Sequence, residues 1–347
     1  MAARLRVGIA GYGVVGRRRR QVIDANPHLV TTAVSDVTFA THPYTDPSVR
    51  VVDDWQRLLE EPLDVLVVCL PNHIAADATI AGLEAGLHVF CEKPPGRSVE
   101  DIRRVRTVEA QRPTQRLKYG FNHRYHDSVM EAKRLIDSGR LGTVLNIRGV
   151  YGKSTIIPFS GGWRSQREIA GGGILLDQGI HMLDMIRHFC GDFEEIHSFV
   201  SNSYWHHDVE DNAYALMRAS NGVVAMLHST ATQWRHRFRL EITLTEGLLE
   251  LSGILSGSKS YGEERLTVVP RKDGSSVGAH EETTTQYLDD HSWKDEIDEF
   301  ASVITTGAAV QHGTSFDAER VMELVFRIYH ADPQWRVQYD IRDPRST

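Results

Sequence analysis

The chain has 347 residues, 41% of them hydrophobic and 24% charged, with a formal net charge of −7. That length exceeds one ordinary domain and sets an expectation of two. The acidic balance, with a pI of about 6.2, offers no basic arm for nucleic acid, and no apolar run is long enough to span a bilayer.

The chain is expected to enter a strand within a few residues of its start, and no signal peptide is expected there. Cys69, Cys91 and Cys190 sit far apart in apolar surroundings without metal-site spacing. Reduced thiols and a cytoplasmic protein are expected. After the apolar run at residues 5–10 comes Gly11-Tyr12-Gly13-Val14-Val15-Gly16, a G-x-G-x-x-G turn between a strand and a helix. Residues 31–35 read as the next strand and end in Asp36, where a Rossmann unit carries its ribose-binding acid. Gly11 would permit the tight turn, Gly13 would let backbone approach a pyrophosphate, and Gly16 would allow close helix–strand packing. Asp36 accepts ribose hydroxyls and repels a 2′-phosphate. No Arg or Lys follows it in Val37-Thr38-Phe39, so NAD is expected over NADP. The arginines at 17–20 are expected to be a solvated helix flank, with Arg17 at most touching pyrophosphate.

The alternation continues. Residues 64–70 form a continuous apolar run, as a buried parallel strand requires. Pro71, Asn72 and His73 end it, and a helix is expected over 74–85. Residues 87–91 are the next strand, closed by Glu92-Lys93-Pro94-Pro95, with a helix from about Ser98. Ligands lie beyond the carboxyl ends of such strands. Pro71, Asn72, His73, Glu92 and Lys93 therefore join the glycine turn and Asp36 as expected cofactor contacts.

Past about residue 125 the βαβ rhythm stops. Strands are expected at 144–151, 196–203, 213–219, 223–230, 238–245 and 248–252, and helices at 294–305 and 316–330. Consecutive strands with few helices indicate an α+β layer. Residues 171–184 read GGGILLDQGIHMLD. On a helix, Asp177, His181, Asp184 and His188 share one stripe. That stripe reads either as the wet face of an amphipathic helix or as a polar site. A metal clamp lacks further ligands nearby, so no metal is expected.

Glu92-Lys93-Pro94, the glycine turn and Asp177-x-x-x-His181, in that order, resemble the Gfo/Idh/MocA oxidoreductase family. The likeness extends to Phe121-Asn122-His123-Arg124, to Ser138-Gly139-Arg140-Leu141-Gly142 and to Trp163-Arg164. It implies an N-terminal Rossmann domain with a doubly wound parallel sheet, at residues 1–124. An α+β domain with a large open antiparallel sheet would follow at 125–347, for substrate binding and for assembly as a homodimer or homotetramer. It also implies that the triple glycine lets backbone approach substrate, with Asp177 and His181 turned towards Lys93 in the cleft between domains.

The chemistry asks for these residue types. Oxidising a secondary alcohol needs a base matched to neutral pH, a partner for that base, and positive charge at the developing alkoxide. His181 is the expected acid/base, Asp177 its partner or a substrate ligand, and Lys93 the alkoxide stabiliser. Lys93 could share the proton transfer. Asn122, His123, Arg124, Tyr151, Trp163, Arg164 and the loop at 204–208 are expected around the substrate. Trp163 and Arg164 also fall beside the cofactor in this pattern. The substrate class implied is a sugar, a cyclitol or a nucleotide-sugar. Two other readings stay open: an NAD-dependent glycosidase using transient oxidation, which would turn over without net NADH, and a non-catalytic cofactor-sensing regulator, whose kind loses the lysine or the histidine.

Overall fold

The computed structural model describes residues 3–154, 162–256, 260–271 and 281–346. Two units emerge. The first comprises Met1–Asn122, Glu168–Gly171 and Trp293–Glu319; the second comprises His123–Arg167, Gly172–Ser292 and Arg320–Thr347. The division therefore falls between Asn122 and His123, and a segment near the C-terminus returns to the first unit.

The first unit contains β1 (Leu5–Ala10), α1 (Val14–Ala25), β2 (Leu29–Ser35), β3 (Arg50–Val52), β4 (Val65–Val68), α2 (Asn72–Glu84), β5 (His88–Glu92), α3 (Val99–Glu109) and β6 (Leu117–Gly120). Its strands pair in parallel in the order β3-β2-β1-β4-β5-β6. This is the doubly wound Rossmann order, with its switch point between β1 and β4. Val7, Ile9, Val34, Val65, Val67 and Phe90 form the core beneath the sheet. Ile297, Phe300, Ala301 and Val303 join that core. This apolar stripe explains why the returning segment belongs here rather than with its sequence neighbours.

The second unit has α4 (Asp127–Asp137), β7 (Val144–Ser154), β8 (Phe193–Ser201), β9 (Asn212–Ala219), β10 (Val224–Gln233), β11 (Arg237–Leu244), β12 (Gly247–Ser252), β13 (Glu264–Pro270) and β14 (Thr283–Tyr287). The strands form one sheet in the order β14-β13-β12-β11-β7-β10-β9-β8. It is mixed rather than purely antiparallel, because β10 and β7 run parallel while their other neighbours are antiparallel. Among the helices, α5 (Arg167–Ala170) is a single turn. α6 (Ile180–Cys190) packs on β7 and β10, α7 spans Ser292–Thr306, α8 spans Ser315–Ala331 and α9 spans Pro333–Gln338. Gly149 of β7 makes room for α6: a Cβ there would lie 2.8 Å from the Met182 sulfur. No helix among the described residues is long and apolar enough to cross a membrane.

Candidate active site

The glycine turn behaves as its sequence asks. Gly11 has φ +88°, and a Cβ on it would lie 2.4 Å from the Cys69 carbonyl oxygen, across the switch point. A Cβ on Gly16 would lie 2.0 Å from the Gly11 carbonyl oxygen, so glycine lets α1 start hard against the turn. Gly13 differs: a Cβ there meets nothing within 4 Å. Its side is open, and no side chain caps the N-terminus of α1. Free N–H groups at that end suit a pyrophosphate.

Asp36 closes β2. Its Oδ2 accepts the Tyr12 N–H at 2.9 Å, and its Oδ1 accepts the Thr38 N–H at 3.0 Å and hydroxyl at 2.7 Å. These bonds orient the carboxylate and leave lone pairs for ribose hydroxyls. Tyr12 packs among Phe39 and Tyr44, with the Arg17 guanidinium 4.8 Å from its ring centre. Glycine turn, open helix end and oriented acid together fit a dinucleotide.

The four arginines at 17–20 divide. Arg19 is fully buried, a correction to the solvated flank expected of them. Its Nε donates to Glu92 at 2.5 Å and its Nη2 to Glu296 of α7 at 2.7 Å. Arg20 is tied to Asp46 and to the Tyr12 hydroxyl. The cause is α7, which brings an acid and Trp293 to a helix face that local sequence marks as exposed.

At the other strand ends, Pro71 precedes α2 and His73 is exposed. Asn72 is buried and its amide donates to the Ala170 carbonyl at 2.7 Å, a structural bond within the unit. Lys93 follows Glu92 directly, is partly exposed, and is joined to Pro94 by a cis peptide. Asn122, the last residue of this unit's first segment, is buried.

In the second unit the polar stripe is not a wet helix face. Residues Leu175–Gly179 form a π turn leading into α6. His181 is 6% exposed and Asp184 is fully buried. The π turn adds a residue per turn, so Asp177 is rotated off a simple α-helical stripe. Its carboxylate lies 3.5 Å from Arg164, whose guanidinium also covers the Trp163 ring at 4.3 Å. Asp184 belongs to Arg124, which grips it through two bonds of 2.8 and 2.6 Å. The structure thus commits both groups to each other and ties the start of the unit to the middle of α6.

The triple glycine is explained by packing. A Cβ on Gly173 would lie 2.1 Å from the Glu210 carbonyl oxygen, and one on Gly172 would lie 2.3 Å from the Tyr329 hydroxyl. The buried Glu210 carboxylate accepts the N–H groups of Gly173 and Leu175 and the Tyr329 hydroxyl. Burial raises its pKa.

Around His181 stands an aromatic array that sequence reasoning did not assemble. His123 stacks on it, ring centres 3.8 Å apart and planes 17° from parallel. His123 Nε2 lies 3.2 Å from the Tyr151 hydroxyl. Tyr151 meets Tyr261 edge-on, and the Tyr261 hydroxyl donates to Gln178 of the π turn at 2.8 Å. Burial, followed by the negative potential of Tyr261 and Asp177, holds the Tyr151 hydroxyl well above its usual range. No local pattern marks Tyr261 or Gln178, since both act through the fold. The loop at 204–208 is held from below, with Asp211 accepting the N–H groups of Tyr204 and Trp205. Among the described residues no group of three His, Cys, Asp or Glu side chains could hold a metal.

A doubly wound unit with an open glycine turn, followed by a mixed-sheet unit with a buried histidine array, is the architecture of an oxidoreductase family with an NAD-binding Rossmann fold. The chain belongs to the Gfo/Idh/MocA family: residues 5–121 match the oxidoreductase family with an NAD-binding Rossmann fold, and residues 129–250 match the Gfo/Idh/MocA C-terminal domain. It is 30% identical over 246 residues to 1,5-anhydro-D-fructose reductase of Ensifer adhaerens, covering 70% of this chain and 72% of that protein. It is 28% identical over 259 residues to levoglucosan dehydrogenase of Pseudarthrobacter phenanthrenivorans, covering 66% of this chain and 63% of that protein. A solved levoglucosan dehydrogenase in complex with NADH and levoglucosan shares the fold, with a TM-score of 0.81 at 23% identity over 96% of this chain and 98% of that one.

Proposed function

We propose that this protein is an NAD-dependent dehydrogenase acting on a secondary alcohol or ketone of a sugar, cyclitol or nucleotide-sugar. The observation that carries this reading is the buried His181, placed just after a π turn bearing Asp177, in a chain of the NAD-binding oxidoreductase family that also keeps Lys93. Both relatives described above are named for sugar derivatives, which supports the substrate class.

Gly11, Tyr12, Gly13, Val14, Val15 and Gly16 would hold the pyrophosphate and Asp36 the ribose. Pro71, His73 and Glu92 would line the same strand ends. Bound NAD supplies the hydride acceptor. The chain's own residues manage the proton. His181 takes it from the substrate hydroxyl in oxidation and returns it in reduction. Lys93 stabilises the alkoxide oxygen with positive charge. Asp177 fixes His181 or binds a neighbouring hydroxyl, with Arg164 setting its direction. Tyr151, Trp163 and Asn122 supply hydrogen bonds and a flat apolar face to a polyol. Arg124 acts at one remove, by clamping Asp184 one turn along α6.

The test is NADH formation over a panel of sugars, inositols and nucleotide-sugars. Turnover on at least one, with His181→Asn slower by about 10²–10⁴-fold and NAD affinity intact, is expected. NAD-dependent cleavage of a glycoside without net NADH would instead establish the glycosidase reading. NAD binding with no turnover on any of them would favour a sensor.

A further inference from the structure

His181 does not face its surroundings alone. Its ring lies face to face with His123 at 3.8 Å, and both are buried, at 6% and 7% exposure. Two imidazolium rings at this spacing repel strongly, because little water is present to screen them. One charged ring on a neutral one is favourable, since the neutral ring presents its π face to the cation.

Three charged groups on neighbouring segments of this unit each have a partner. Asp184, three residues along α6, is neutralised by the Arg124 fork. Asp177, on the π turn, lies beside Arg164. Beyond His123, the His126 ring stands edge-on at 5.4 Å and its Nδ1 donates to Glu264 of β13 at 2.7 Å. Burial raises the Glu264 carboxyl, but the bonds from His126 and Ser128 outweigh this and bring it below its usual range. Tyr151 of β7 supplies the hydroxyl at His123 Nε2, and Tyr261 stands behind it with His236 against its ring. Burial, with Lys153 nearby, lowers the pKa of His236.

We propose that His123 and His181 form a single-proton pair, in which His123 is a positioning residue for His181. Stacking fixes the plane of the His181 ring, and the Tyr151 hydroxyl fixes the plane of His123. Once one ring holds a proton, the second takes one only at distinctly lower pH. The pair thus arrives at neutral pH with a basic nitrogen available, and mutual repulsion restrains it from becoming doubly charged. As a positioning role this rests on the proposed function; as a coupled titration it stands alone.

The experiment is an NMR titration of the cofactor-free protein carrying histidine labelled with ¹³C at Cε1. Two signals are assigned by their loss in His123→Phe and His181→Asn. Coupling predicts that one ring titrates at least about one pH unit lower in the wild type than in the variant lacking its partner. It also predicts that the ring-current shift of His181 changes in His123→Asn and survives in His123→Phe. Melting curves qualify each variant. Should either fail to fold, His123→Gln and His181→Gln supply the assignment and the comparison: a shift that depends on the partner supports the pair, and joint protonation of both rings in the ordinary imidazole range overturns it. Equal titration of each ring with and without its partner also overturns it. Turnover separates the two claims. A crippled His181→Asn without coupling removes the pair and leaves the acid/base reading, whereas coupling with normal His181→Asn turnover does the reverse.

Discussion

Asp36 shows how much a single residue contributes. Three internal donors orient its carboxylate before any ligand arrives, so the proposed ribose contact would need little reorganisation. Asp36→Ser should weaken NAD binding and narrow its margin over NADP. Titration calorimetry measures both, and a tighter NADP complex in the unmutated protein would contradict the assignment. Arg19 makes the opposite point. Its neighbours in sequence look like a solvated flank, and only α7 brings Glu296 to it. Replacing Arg19 with Met would strand buried carboxylates and cost about 3–5 kcal/mol. Burial pushes Glu296 up to about 7, against the opposing pull of Arg19. A carboxyl whose folded pKa exceeds its unfolded one binds its proton more tightly when folded. Its contribution is therefore full below the ordinary carboxylate range and is lost as pH rises through about 7. Glu296→Gln should remove that loss, so the difference in melting temperature, variant minus wild type, should grow across this window. A difference that stays constant with pH would refute it.

At the scale of elements, the two glycine-rich turns look alike in sequence and work differently. Gly13→Ala adds a methyl to open space, so it should leave the melting temperature near wild type while weakening NAD. Gly173→Ala drives a methyl into the Glu210 carbonyl and should destabilise by about 1–3 kcal/mol or more. Paired melting curves and NAD titrations check both. Equal damage to stability from the two changes would contradict this division. The Rossmann strands were legible because buried parallel strands are continuous apolar runs between turn residues, as in Val65–Val68. β3 was not, since three residues carry no period, nor was β14, whose Thr-rich segment is largely exposed. The stripe of residues 177–188 was legible as polar, but its burial was not. The π turn and the Arg124 fork depend on residues far apart in sequence.

At the scale of the whole molecule, the eight-stranded sheet leaves a row of large apolar side chains in solvent. Phe199 is 77% exposed, Leu216 51% and Met226 43%. Phe199 pairs across the ladder with Tyr214, and Leu216 with Met226, so they share one face. A patch of this kind marks an interaction surface. The protein should self-associate through it, and Leu216→Glu should shift the mass towards the monomer in light scattering; a wild type that is monomeric at micromolar concentration would refute this. As proposed above, one chain would combine an NAD-binding unit with an acid/base on a second unit to act on a polyol. That combination is tested most directly by steady-state NADH formation on a responsive sugar or cyclitol, comparing the wild type with His181→Asn, Lys93→Ala and the double variant. Losses of about 10²–10⁴-fold are expected for His181→Asn, with a clear loss for Lys93→Ala and a double variant less impaired than the sum of the two free energies, because in the proposed reaction both groups would act on one oxygen. Near-normal rates in folded single variants would contradict it.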